Sequence, residues 1–73
     1  MKKAELRDCL EKLGIPPYFY NLGDTSETDG RICMEKLGGE WHVFYDDGGV
    51  ITTDEKFDTE EEACEFIYGQ FCV

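Results

Sequence analysis

The chain is poor in bases. Seven Lys and Arg stand against seventeen Asp and Glu, a formal net charge of -10. A surface of that sign repels phosphate backbones, so direct nucleic-acid binding is not expected. It suits solubility, and it suits a basic protein partner. Long apolar runs are lacking too: nothing approaches the roughly 20 residues that a bilayer-spanning helix needs, and no membrane role is expected. Met1-Lys2-Lys3 is followed by Ala4-Glu5-Leu6-Arg7-Asp8. Charges stand where a signal peptide has its apolar segment, so a cytoplasmic protein is expected.

Metal and nucleophile chemistry is thinly supplied. His42 is the single histidine, and Cys9, Cys33, Cys64 and Cys72 form no C-x-x-C pair. Ligands so scattered do not make a zinc site, and no metal or cofactor is expected. Cys64 and Cys72 lie about 12 Å apart along a predicted helix, too far for a disulfide, so four reduced thiols are expected. No serine or cysteine has an evident histidine partner beyond His42, which leaves a catalytic triad unsupported. Glycine-rich phosphate-binding patterns are missing. Asp24, Glu27 and Asp29 have oxygen donors of the kind calcium uses, but not the EF-hand spacing, and read as solvated loop acids.

What is present suffices for one small core. A chain of 73 residues buries only about 60% of its unfolded surface. Ten aromatics with Leu, Ile and Val still argue against disorder.

The organising stretch is Arg31 to Asp46, two apolar and aromatic runs flanking Gly38-Gly39. A Gly-Gly pair permits the positive φ angles of a tight hairpin turn. With those glycines as the loop, Lys36 faces Trp41, Glu35 faces His42, Met34 faces Val43, Cys33 faces Phe44, Ile32 faces Tyr45 and Arg31 faces Asp46. Side-chain alternation puts Ile32, Met34, Trp41, Val43 and Tyr45 on a core face, centred on Trp41. The other face is mixed: Arg31, Cys33, Glu35, His42, Phe44 and Asp46.

Around the hairpin, Lys2 to Leu13 reads as an amphipathic helix with Leu6, Cys9, Leu10 and Leu13 on one stripe, stopped by Gly14 and Pro16-Pro17. Tyr18 to Leu22 reads as a strand. Gly23 to Gly30 is a polar loop with three acids and no base. Asp46 to Gly49 is a turn, and Val50 to Phe57 a fourth strand whose charged half fits an exposed edge. Thr59-Glu60-Glu61-Glu62 is a capping box opening a second helix, with Ala63, Phe66, Ile67 and Phe71 inward and fraying expected near Gln70 after Gly69. The expected fold is α+β: a four-stranded antiparallel meander flanked by an N-terminal and a C-terminal helix, α-β-β-β-β-α, with both helices on the Trp41 face.

Three readings follow. Phe44 and Cys33 form an apolar pair ringed by Arg31, Asp46, Glu35 and His42, an apolar centre with a charged rim. With the acids Asp24, Glu27 and Asp29 these residues make a candidate partner surface, the alternative being that a helix or loop covers the pair. The second reading takes His42 as a general base beside Glu35, in a small enzyme subunit or accessory domain; a third is a general protein-interaction domain.

The ordered elements Tyr20-x-Leu22, Ile32-Cys33-Met34-Glu35-Lys36, Gly39-x-Trp41-x-Val43-x-Tyr45 and Phe57-Asp58-x-Glu60-x-x-Ala63-Cys64 resemble small immunity proteins of bacterial polymorphic toxin systems. The likeness runs from about Pro16 to Tyr68. It implies a short, acidic, cytoplasmic α+β protein without catalytic activity that neutralises a cognate toxin protein, here a basic nuclease-type domain, encoded by the adjacent gene. The matched residues are scaffold, so the resemblance carries over no functional residue. The Gly23–Gly30 loop departs from the family in being more acidic than its Gly-rich counterpart.

Overall fold

The computed structural model describes residues 1–72. Helix α1 (Lys3–Lys12) is followed by a single 3-10 turn (Pro17–Phe19), strands β1 (Tyr20–Asn21), β2 (Arg31–Leu37), β3 (Glu40–Asp47) and β4 (Val50–Phe57), and helix α2 (Glu60–Phe71). The strands lie in one sheet in the order β1-β2-β3-β4.

The α+β class and element order are as expected, but the sheet is mixed. β2, β3 and β4 are antiparallel, whereas β1 runs parallel to β2, pairing Tyr20 with Ile32 and Asn21 with Cys33. The antiparallel meander therefore fails at its first strand. The expected strand Tyr18–Leu22 shrinks to two residues because Pro17 fixes its φ in the helical range and the chain takes a turn, Phe19 N–H donating to the Pro16 carbonyl at 3.0 Å. A two-residue strand rises only about 7 Å, so residues 22–30 can return to its starting end without a crossover helix.

The hairpin register is the one read from Gly38-Gly39, from Arg31 opposite Asp46 to Lys36 opposite Trp41. Both glycines have positive φ, 57° and 88°. The β3–β4 register shifts between Tyr45 and Asp46: Asp46 pairs with Ile51 and Tyr45 with Thr53, leaving Thr52 as a bulge. That extra residue has a structural consequence. A regular ladder from the Gly48–Gly49 turn would set Phe57 opposite Glu40; the bulge sets it opposite Trp41, on the core face. There its ring lies 5.3 Å from that of Phe66 on α2.

Both helices contribute to the core on the Trp41 face. Leu6 and Leu10 of α1 and Ala63, Cys64 and Ile67 of α2 cluster with Tyr20, Leu22, Ile32, Met34 and Val43. Trp41 is not the core's centre. Met34 and Val43 are fully buried, while Trp41 packs half-buried at the rim beside Phe57, with the Lys36 ammonium 5.7 Å from its ring centroid. α1 ends as its glycine predicts: Gly14 at φ 77° lets the Ile15 and Gly14 amides donate to the Leu10 and Glu11 carbonyls, both at 3.0 Å. At α2 the Glu62 amide donates to Thr59 Oγ1 at 3.1 Å, but Glu62 takes the Thr59 hydroxyl rather than its amide. α2 continues through Gly69 to Phe71, whose ring packs edge-on against Tyr20 at 6.4 Å. The two helices are joined at one end, where Glu60 accepts from the Lys3 amide at 2.7 Å and Lys2 and the N-terminal amine pair with Glu61 and Glu65, each at 3.5 Å.

Candidate functional site

The sheet face away from the helices carries the predicted site, and the Gly23–Gly30 loop crosses half of it. Asn21 holds that loop. Its side chain is buried because β1 alternation turns it away from the helices, beside Cys33. Its Nδ2 donates to the Thr25 and Glu27 carbonyls at 2.9 and 2.8 Å, and its Oδ1 accepts from the Gly23 amide at 2.9 Å. One amide group thus satisfies three loop backbone groups that would otherwise lack partners.

The predicted acids divide accordingly. Asp24 pairs with Arg7, and Glu27 with Arg31 at 2.8 Å. Asp29 accepts from the Gly48 amide at 3.0 Å. Asp46 accepts from the Thr28 hydroxyl and the Gly49 amide, both at 2.7 Å, while its carbonyl takes the Gly30 amide at 2.7 Å. These four carboxylates fasten the loop to the sheet, to α1 and to the β3–β4 turn. Among the described residues no three His, Cys, Asp or Glu side chains converge to hold a metal ion.

The loop covers Cys33, which is 2% exposed, its Sγ 3.8 Å from the Thr28 carbonyl. Burial, with a smaller contribution from Asp46, pushes its thiol up to about 11. Cys64 in the core is pushed to about 11 by burial, then by Glu60. Cys9 is half-buried and Cys72 exposed.

Phe44 stays half-open. One side of it faces the loop, in a cavity of about 210 Å³ shared with Asn21, Thr28 and Cys33. The other side forms a cleft of about 280 Å³ with Glu35, Ile51 and Asp54. Register places Glu35, His42 and Lys56 in one row across the outer face, and Cys33, Phe44 and Asp54 in the next. The structure therefore brings Glu35, His42 and Phe44 onto one surface with Asp46 at its end, and keeps Asp24 and Glu27 on the loop. His42 and Glu35 are opposite each other, yet no hydrogen bond joins them among the described residues.

Ile51, half exposed, and Asp54 join this surface although neither belongs to the expected site. The signal was present. Treating Gly48-Gly49 as a two-residue loop, as Gly38-Gly39 was, puts Ile51 opposite Asp46 on the Phe44 face. Asp54 was out of reach without the bulge at Thr52.

The fold and site define an α+β domain with a mixed four-stranded sheet, one face packed on two helices and the other half-covered by an anchored loop. No helix among the described residues is long and apolar enough to cross a membrane. No family model matches the chain, and no curated protein or solved structure matches it either.

Proposed function

We propose that this chain is a non-enzymatic immunity protein that binds and neutralises a cognate toxin domain, encoded by the adjacent gene, in the bacterial cytoplasm. The observation that carries the reading is the acidic surface. Of seventeen Asp and Glu, all but Asp46 and Glu60 are exposed, and they are spread over both helices, the loop and the sheet. Such a field accelerates association with a basic protein, the nuclease-type cleft implied by the family resemblance. Short-range affinity comes from the outer face, where Phe44 and Ile51 form an apolar centre rimmed by Glu35, His42, Asp54 and Lys56.

The test is co-expression with the product of the adjacent gene. The expected result is a complex that survives purification at low salt and restores growth to cells making the toxin domain. A toxin that neither co-purifies nor is tolerated refutes the reading. His42→Ala separates it from acid–base chemistry at the His42–Glu35 pair: neutralisation that persists in this variant excludes a catalytic role.

A further inference from the structure

We infer that the free edge of β4 is a docking edge for an extended, basic strand of the partner protein, which joins the sheet as a fifth strand; this deepens the toxin-binding reading and rests on it for the partner's identity. β4 ends the sheet order, so the backbone groups along its outer side meet no other strand among the described residues. It is eight residues long, longer than most edges that proteins leave uncovered.

Both faces beside this edge offer room for side chains. On the outer face is the cleft formed by Phe44, Ile51, Asp54 and Glu35. On the helix face a groove of about 460 Å³ runs over the cross-strand row Ile32–Tyr45–Thr53, walled by Phe19 and Phe71, and reaches β4 at Thr52 and Thr53. Side chains of an added strand alternate between faces, so successive apolar residues enter the two depressions in turn. Main-chain bonds then supply affinity and the depressions supply selectivity. The bulge at Thr52 contributes by turning both Thr52 and Thr53 toward the groove.

Charge chooses the occupant. Asp54 on the outer face and Glu55 on the helix face are both exposed, so an incoming strand meets a carboxylate on either side. Lys and Arg on that strand are matched. A second copy of this chain brings ten further negative charges and the same two acids. The acids that guard this edge against self-pairing are therefore the ones that admit a basic strand.

The probe is a synthetic eight-residue peptide repeating Lys-Lys-Val-Val, which places both residue types on each face of an added strand, titrated into the isotope-labelled protein and followed by amide chemical shifts. The expected result is perturbation concentrated on Val50–Phe57 and Phe44, with no response to the same peptide carrying glutamate for lysine. Asp54→Lys/Glu55→Lys, both at exposed positions, weakens binding about tenfold without moving the thermal midpoint. No response at millimolar peptide, a response confined to β1 or the Gly23–Gly30 loop, or dimerisation of the protein alone through β4 each overturns the inference. With the adjacent-gene toxin domain, slowed amide exchange along β4 supports it. Protection elsewhere with β4 unchanged overturns the docking edge but keeps toxin binding, and a toxin that does not bind removes the functional reading while the peptide still decides the edge.

Discussion

Asn21 occupies a position where an amide is difficult to replace. Its side chain both donates to and accepts from the loop backbone, and it is buried. Asn21→Ala removes three hydrogen bonds and is expected to lower stability by about 2–4 kcal/mol, a large share of what a domain of this size has. Asn21→Asp is expected to do no better at neutral pH, because a carboxylate oxygen then faces the Thr25 and Glu27 carbonyls. Denaturant midpoints of the two variants check this; an Asp variant as stable as wild type contradicts the bonding described. The thiols give a second prediction at this scale. Folding raises Cys33 and Cys64 from 9.0 to about 11 by burying the neutral form. The stability this contributes is fully present below pH 9 and is lost as pH rises through about 11. Denaturant midpoints should therefore fall more steeply between pH 9 and 11 in the wild type than in Cys33→Ala/Cys64→Ala. At pH 8, a thiol reagent should label Cys72 and Cys9 well before the buried pair.

Among the elements, the β3–β4 hairpin absorbs one inserted residue. Deleting Thr52 removes the bulge and leaves Thr53 to Phe57 opposite Tyr45 to Trp41, so Phe57 keeps the core face. The deletion should therefore shift the thermal midpoint by only a few degrees, whereas Phe57→Ala should cost about 3 kcal/mol. A deletion that destabilises as much as Phe57→Ala would show that the register of β4 does not survive without the bulge. Register is legible in the sequence where local residues set it. The β2–β3 register follows from Gly38-Gly39 and strict alternation, both local properties of the sequence. β1 does not, because its direction depends on where residues 22–30 are anchored, and the anchors (Asn21, Arg31 and Asp46) act across as many as 18 positions of sequence. The core centre was misplaced at Trp41 for a related reason. Side-chain size favours it, but Trp41 lies next to the turn, where the helices no longer cover the sheet fully.

Over the whole molecule, the loop acids and the remaining acids contribute equally to the long-range field but differently to the fold. Reversing Asp24, Glu27 and Asp29 to Lys raises the charge by two at each site, from -10 to -4. Reversing Glu11, Glu40 and Asp58 does the same at exposed positions that hold no other side chain among the described residues. Both triple variants should therefore slow association with a basic toxin domain to a similar extent at low ionic strength. The difference from wild type should fade as the screening length falls from about 10 Å at 0.1 M salt to about 3 Å at 1 M. Only the loop variant should also melt earlier, because it loses the Asp24–Arg7 and Glu27–Arg31 pairs and the Asp29 acceptor at Gly48. Stopped-flow association rates across a salt series, with melting curves on the same samples, separate the two effects. If the loop variant slows association far more than the dispersed one and the gap survives high salt, the loop acids touch the partner directly. If both associate at the wild-type rate in low salt, the acidic field does not steer binding and the surface charge serves another purpose.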